Sequence, residues 1–194
     1  MKPRDKLRIS KNARELVSLF LALQHLRTAE SREILSLFAL ENGFYPTGLS
    51  DQERVNLHAT LLVNGHVVED FRNWINKSIW IFARNETGSP FVTSDNPVCF
   101  KTPDNKMWLK AGMLSRGNYL VYPLTPRLIL YCKDGSSPHW RPLKKFKDRL
   151  SPVSFTKDMV DHENSGQVFM ASRFVISSTG DFGFPRTFAS TAAL

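Results

Sequence analysis

The pattern of apolar residues changes near residue 76, and this change constrains the fold more than any other feature of the chain. Before it, apolar residues recur at helical spacing; within residues 10–27 they are Ala13, Leu16, Val17, Phe20 and Leu23. After it, the run Ile79–Ala83 is aromatic and β-branched, which is typical of a strand. We therefore predict an α+β fold in which an N-terminal helical half packs on a C-terminal antiparallel sheet.

Turn and capping residues delimit the predicted elements. Helices are predicted at 10–27 and 29–41, from the capping box Ser50-Asp51-Gln52-Glu53 to about residue 63, at about 67–75, and at 156–171. Strands are predicted at 79–83 and 91–93, joined as a hairpin through Gly88-Ser89-Pro90, and at 118–122, 128–132 and 174–177. These elements predict one domain over residues 1–178, helical at 8–76 and β-rich at 77–178. The Gly-, Ser- and Thr-rich segment 179–194 is expected to be a flexible tail.

The chain is basic, with 26 Lys and Arg against 18 Asp and Glu and a net charge of +8. The excess is concentrated in two clusters, at Lys2–Arg14 and at Arg141–Arg149. Such clusters attract polyanions, most often nucleic acid, but they can also simply keep a protein in solution. The residues predicted to contact nucleic acid are Lys144, Lys145, Lys147 and Arg149.

Several classes of protein lose support because their sequence signals are missing. No apolar run approaches the ~20 residues of a membrane span, and the N-terminus lacks a signal-peptide pattern, so we expect a cytoplasmic protein without a membrane partner. Two cysteines, Cys99 and Cys132, are too few for a disulfide framework or a Cys-based zinc site. The five histidines lack metal-binding spacing, and P-loop and dinucleotide-binding patterns are missing, so neither a metal nor a cofactor is predicted.

Two groups of polar residues lie at the ends of apolar elements. The apolar stripe of the first helix continues to Gln24 and Arg27, which either bond to neighbouring backbone or line a cleft. The β-branched run that begins at Phe91 ends in Thr93-Ser94-Asp95-Asn96. That segment either forms a plain turn or presents a carboxylate on a rigid scaffold.

Four motifs follow one another along the chain. They are Gln24-His25-Leu26-Arg27-Thr28, Thr93-Ser94-Asp95-Asn96-Pro97, Tyr122-Pro123-Leu124-Thr125-Pro126, and Asn164-Ser165-Gly166-Gln167 followed by Ala171-Ser172-Arg173. Their order resembles the DUF4238 family, over about residues 10–177. The family's usual N-terminal His-Tyr-Val-Pro-like segment has no counterpart in residues 1–10, so the chain is similar to the C-terminal two-thirds of the family pattern. The resemblance implies a shared polar cleft and supplies no reaction.

The motifs define a candidate site. We expect Gln24, Arg27, Asp95, Asn96 and Arg173 to converge in a cleft between the helical half and the sheet. Asp95 is the candidate catalytic residue. The candidates for binding a substrate or an anion are Gln24, Arg27, Thr28, Thr93, Ser94, Asn96, Asn164 and Arg173.

Three functions are compatible with these observations. The favoured one is association with nucleic acid or a nucleoprotein. The first alternative is a hydrolase or nuclease-like effector, in which Asp95 acts as acid/base or metal-binding carboxylate while Arg27 and Arg173 hold anionic oxygens. The second is a protein-interaction factor of a phage, mobile element or defence locus, whose basic surface docks on an acidic protein.

Overall fold

The computed structural model describes residues 7–41, 43, 48–63, 65–110 and 117–192. It confirms the α+β class, with most helices in the N-terminal part and the main sheet in the C-terminal part. The chain forms two compact units, which we call the helical unit (Ser10–Asn76) and the sheet unit (Met1–Ile9 with Lys77–Leu194). Lys2, Arg4 and Lys6 of the predicted N-terminal basic cluster lie outside the described residues.

Four helices begin in the first part of the chain. They are α1 (Lys11–Leu26), α2 (Ala29–Glu41), α3 (Asp51–Val63) and α4 (Gly65–Lys77). Side-chain caps explain where two of them begin. The Ser10 hydroxyl accepts a hydrogen bond from the Ala13 amide, and Ser50 and Glu53 form the predicted capping box through bonds of 2.8 and 3.3 Å.

The buried face of α1 differs from the predicted one. Leu16, Phe20 and Leu23 of the apolar stripe are exposed. The buried residues are Ser18, Leu21, Ala22, His25 and Leu26. Ser18 can lie inside because its hydroxyl donates to the carbonyl oxygen of Arg14 at 2.8 Å, one turn earlier. A serine and a histidine on the inner face made that face look polar in the sequence.

The sheet unit contains a six-stranded sheet in the order β4-β3-β5-β6-β1-β7. Its strands are β1 (Ile79–Arg84), β3 (Cys99–Lys101), β4 (Trp108–Leu109), β5 (Tyr119–Thr125), β6 (Leu128–Lys133) and β7 (Arg149–Leu150), and β2 (Thr93–Ser94) and β8 (Val175–Ile176) form a second sheet. All pairs are antiparallel except β1 with β7, so the main sheet is mixed rather than antiparallel.

The predicted hairpin between residues 79–83 and 91–93 is wrong. The partner of β1 is β6, with Ile79 opposite Lys133, whereas Thr93 of β2 lies opposite Ile176 of β8. The turn signal was real, because the Asn85 side chain donates to the carbonyl oxygen of Ser89 at 2.6 Å and closes a compact loop. A turn reverses the chain, but it does not determine which strand becomes the neighbour.

The basic segment 141–149 contains regular secondary structure. Arg141–Phe146 forms a 3₁₀ helix, and β7 follows it and pairs with β1. Lys144, Lys145 and Lys147 are exposed, whereas Arg149 is half-buried.

The core of the sheet unit lies between one face of the main sheet and helix α5 (Lys157–Met170). Alternate residues of β1, Ile79, Ile81 and Ala83, face this core, as the two-residue period of a strand requires. Val160 and Met170 of α5 pack against them. The Thr156 hydroxyl caps α5 as predicted, by accepting a hydrogen bond from the Met159 amide at 3.3 Å.

The predicted flexible tail is wrong for most of its length, because Gly183–Ala192 forms helix α6. The Asp181 carboxylate accepts a hydrogen bond from the Gly183 amide at 2.9 Å, at the start of the helix. One turn apart, the rings of Phe184 and Phe188 stack with centroids 6.0 Å apart. Helix α6 also packs on α5, so tertiary contacts order a composition that is typical of a loop.

Candidate functional site

The carboxylate of Asp95 ties the first turn motif to the segment after α5. Its two oxygens accept hydrogen bonds from the backbone amides of Ser172 and Arg173, at 3.0 and 2.9 Å. The Asp95 amide donates to the carbonyl oxygen of Phe174 at 3.1 Å. Arg173 thus meets Asp95 through its backbone, and the residue is exposed. This geometry gives Asp95 a structural role in the sheet unit.

The side-chain amides of Asn164 and Gln167 on α5 bind the same turn. Asn164 accepts from the Val92 amide and donates to the carbonyl oxygen of Pro90, both at 3.0 Å. Gln167 donates to the carbonyl oxygen of Pro97 at 2.9 Å and accepts from the Ser94 hydroxyl at 3.2 Å. The polar atoms of Asn164 and Ser94, predicted to orient substrate, are therefore bonded within the protein.

Asn96 is different, since its side chain is buried with 1% exposure. Neither its amide nitrogen nor its amide oxygen has a hydrogen-bond partner among the described residues. Thr93, its neighbour in the motif, is half-buried on β2 opposite Ile176.

The remaining predicted residues belong to the helical unit. The Arg27 guanidinium donates to the Gln24 side-chain oxygen, with a distance of 2.8 Å from Nε. The Thr28 hydroxyl donates to the carbonyl oxygen of His25 and accepts from the Ser31 amide, at 2.9 and 3.2 Å, so it caps the start of α2. The structure brings Gln24 together with Arg27, and Asp95 together with Ser94, Asn164 and the Arg173 backbone. Convergence of the two groups stays a prediction.

A cavity of about 550 Å³ lies elsewhere in the sheet unit. We call it the Lys133 pocket. Its wall comes from β1 (Ile81, Ala83), β5 (Tyr119), β6 (Tyr131, Lys133), Trp140, the 3₁₀ helix (Leu143, Phe146), the segment 151–155 and α5 (Met159, Glu163). Most of these side chains are apolar or aromatic, and two of them carry opposite charges.

The Lys133 amine lies among aromatic rings. Its nitrogen is 3.3 Å from the ring centroid of Tyr119, 3.8 Å from that of Trp140 and 5.7 Å from that of Tyr131. Hydrogen bonds fix two of these rings: Trp140 donates to the carbonyl oxygen of Gly117 at 2.7 Å, and the Tyr119 hydroxyl donates to Asn105 at 2.6 Å. Among the described residues the amine has these ring contacts but no ion pair or hydrogen bond.

Burial lowers the pKa of Lys133 from its ordinary value of 10.5 to about 7. The negative charge of Glu163 opposes this shift, and the positive charge of Lys101 adds to it. Desolvation wins because the aromatic surroundings cannot replace the water that solvates an ammonium group.

The Glu163 carboxylate interacts with the Lys101 ammonium and with the Tyr131 phenol. Its Oε1 accepts from the Lys101 ammonium at 2.9 Å, and the two side chains are 8% and 0% exposed. Its Oε2 is buried and has no hydrogen-bond partner of good geometry in the described part of the chain. Burial, the charge of Glu163 and a side-chain hydrogen bond to Glu163 raise the pKa of Tyr131 well above its ordinary value of 10.0, so this phenol stays protonated.

With the geometry described, comparison with known proteins identifies the family. The model of a family described as a protein of unknown function (DUF4238) matches residues 3–181. The chain belongs to the DUF4238 family. This confirms the resemblance inferred from the four motifs. No curated protein and no solved structure matches the chain.

Sequence reasoning missed the pocket of this DUF4238 protein because its charged residues are far apart in the chain. Lys101 and Lys133 each end an apolar strand, and Glu163 follows the acidic residues Asp158 and Asp161 on α5. A lysine that directly follows a buried strand was the available signal. The sequence did not distinguish Glu163 from the other acidic residues of α5, since Asp158 is exposed and Asp161 pairs with Lys157 on the surface.

Two further findings bear on the kind of protein. In the described part of the chain, no three His, Cys, Asp or Glu side chains are close enough to hold a metal ion. Of the helices that the structure describes, none has both the length and the apolar character needed to cross a bilayer.

Proposed function

We propose that this DUF4238 protein binds an organic ligand with a flat, largely apolar body and a polar end in the Lys133 pocket. One observation carries the proposal. The amine of Lys133 and the carboxylate of Glu163 both belong to the wall of one cavity, and the amine has ring contacts but no ion pair or hydrogen bond among the described residues.

The pocket has the composition of a ligand site. Its volume of about 550 Å³ falls in the range of roughly 300–1,000 Å³ that is common for small-molecule pockets. The rings of Tyr119 and Phe155 and the side chain of Met159 offer apolar surface. Lys133 can donate to an acceptor on the ligand, and Glu163 can accept from a donor.

Isothermal titration calorimetry with benzoate, benzamide and adenosine tests this proposal, because the three compounds differ in body and in polar end. At least one of them is expected to bind, and Lys133→Met is expected to weaken that binding at least tenfold. Lys106→Met changes an exposed lysine and serves as the matched control. Absence of binding by all three, or equal binding by both variants, would refute the proposal.

Separate observations support a second proposal, that nucleic acid binds to the basic segment 141–149, which contains the 3₁₀ helix. Lys144, Lys145 and Lys147 are exposed on or next to the same turn whose Leu143 and Phe146 line the pocket. A nucleic-acid strand whose phosphates contact these lysines would therefore run beside an apolar cavity. Basic grooves next to aromatic surfaces are a common way to bind single strands.

Filter binding of a single-stranded oligonucleotide across a salt series tests the second proposal. The double variant Lys144→Glu/Lys145→Glu is expected to weaken binding and to reduce the salt slope by roughly 0.7 per lost contact. The control Lys77→Glu/Lys106→Glu changes the net charge equally at exposed sites outside the segment. Equal loss in both variants would show a general charge effect, and absence of binding at low salt would exclude the proposal.

A further inference from the structure

Among the described residues, the amine of the half-buried Lys133 makes no ion pair. The carboxylate that contributes to the pocket wall, Glu163, already pairs with Lys101 at 2.9 Å. The two nearest rings belong to Tyr119 and Trp140, and they contact the amine without removing its lone pair when it is neutral. Burial lowers the pKa of both lysines; the ion pair with Glu163 opposes this fall at Lys101, whereas Lys133 makes no ion pair among the described residues.

We propose that Lys133 is an imine-forming lysine whose amine attacks the carbonyl carbon of an aldehyde or ketone bound in the pocket. This inference rests on the proposed ligand-binding function and adds the chemical class of the ligand. A neutral amine in an apolar pocket is the form in which lysine acts as a nucleophile. The carboxylate of Glu163, in the wall of the same pocket, can accept the proton that the reaction releases through a water molecule.

The bond changes balance with the residues present. The lone pair on Lys133 Nζ forms the C–N bond, and the carbonyl π electrons move to oxygen. A water molecule carries a proton from the nitrogen to the Glu163 carboxylate, and the proton is then returned to that oxygen, which gives a neutral carbinolamine. The C–O bond then breaks as the nitrogen lone pair forms C=N, and the second nitrogen proton leaves with the oxygen as water. No oxidant or reductant is consumed.

The surroundings of Lys133 favour this chemistry over a purely structural role. A methionine would fill the same space without the cost of removing an ammonium group from water. The rings hold the amine in a defined position on the cavity wall. The ion pair with Lys101 holds the Glu163 carboxylate in the wall of the same cavity.

Borohydride trapping tests the inference. The full chain is incubated at pH 7 with 4-hydroxybenzaldehyde and sodium cyanoborohydride, and the adduct is located by intact-mass and peptide mass spectrometry. A pKa of about 7 gives Lys133 a neutral fraction roughly 10³-fold larger than that of an exposed lysine. Apart from the N-terminal amine, which the peptide analysis distinguishes, we expect one adduct, on Lys133, and a labelling rate at Lys133 that rises with pH to a plateau above about pH 7.

Variants separate the inference from the proposed function. Lys133→Arg removes the primary amine and should abolish the adduct at residue 133, whereas Lys106→Arg should not. Glu163→Gln should slow labelling about tenfold without moving it to another lysine. Binding of the unreactive analogue 4-hydroxybenzamide without any trapped adduct would overturn the inference alone. Failure of both compounds would overturn the ligand-binding proposal too, and labelling spread over exposed lysines would overturn the imine.

Discussion

Replacement of Lys133 by methionine is expected to stabilise the protein at pH 7. Methionine has a similar length, no charge and enough flexibility to occupy the same space among the rings of Tyr119 and Trp140. The substitution removes a group that folding must desolvate and for which the described residues provide no counter-ion. Stability and ligand binding should therefore change in opposite directions.

The size of the gain follows from the pKa and the ring contacts. The fall in the pKa of Lys133 from 10.5 to about 7 corresponds to roughly 5 kcal/mol of lost stability at acid pH, of which about 4 kcal/mol remains at pH 7. Cation–π contacts with two rings return about 1 kcal/mol each. We therefore expect Lys133→Met to raise the free energy of unfolding at pH 7 by about 2–3 kcal/mol.

The pH dependence gives the sharper test. Between pH 10.5 and about 7 the unfolded lysine binds a proton while the folded one does not, so the stability of the original protein rises with pH over this window. The advantage of methionine should thus be largest at pH 7 and below, and it should shrink as the pH approaches 10.5.

Urea unfolding followed by circular dichroism at pH 7 and pH 9.5 measures both effects. Lys144→Met changes an exposed lysine and should stay within about 0.5 kcal/mol of the original protein at both pH values. A Lys133→Met variant that is less stable at pH 7, or that gains equally at both pH values, would refute the reasoning.

Three other predictions follow from single contacts. Burial lowers the pKa of His25 from 6.5 to about 4, so the unfolded state binds more protons than the folded state between these pH values. The free energy of unfolding should therefore fall by roughly 3 kcal/mol as the pH drops through this window. In His25→Phe, the urea midpoint should depend less on pH over the same window. Gly166→Ala should destabilise the protein by about 1–3 kcal/mol, because the new methyl group would lie 2.5 Å from the Trp108 ring. Helix propensity alone predicts the opposite, a more stable protein. The direction of the change in the thermal unfolding midpoint distinguishes the two. Asp95→Ala should lower the free energy of unfolding, measured with denaturant, by about 1.5–3 kcal/mol, because two backbone amides lose their acceptor. Asp95→Asn keeps one acceptor and should lower it less. Unchanged midpoints in both variants would show that the carboxylate is dispensable.

Local chemistry in the sequence determined where several elements begin. Ser50, Glu53 and Thr156 cap helices at the expected positions, because a capping bond joins residues only a few places apart. The strand at 128–133 was also predicted nearly in full and the strand at 119–125 over its first four residues, since their β-branched and aromatic runs lie on either side of a short turn. The family followed from motifs of the same local kind.

The buried face of α1 and the pairing of the β-strands depended on contacts between distant parts of the chain. The inner face of α1 carries Ser18 and His25, which only a neighbouring carbonyl group or ring makes tolerable inside a protein. The strand beside β1 comes from about fifty residues further along the chain, which no local turn signal could indicate.

The candidate site shows the same division. The sequence by itself identified Asp95 and Asn164 as unusual polar residues, but the hydrogen bonds to the backbone that explain them appear only after α5 meets the turn. The Lys133 pocket was decided entirely by tertiary structure, because Lys133 and Glu163 come from a strand end and a helix and reach one cavity only through packing. A charged side chain in a sequence is most simply placed in water, and only the folded chain removes that water.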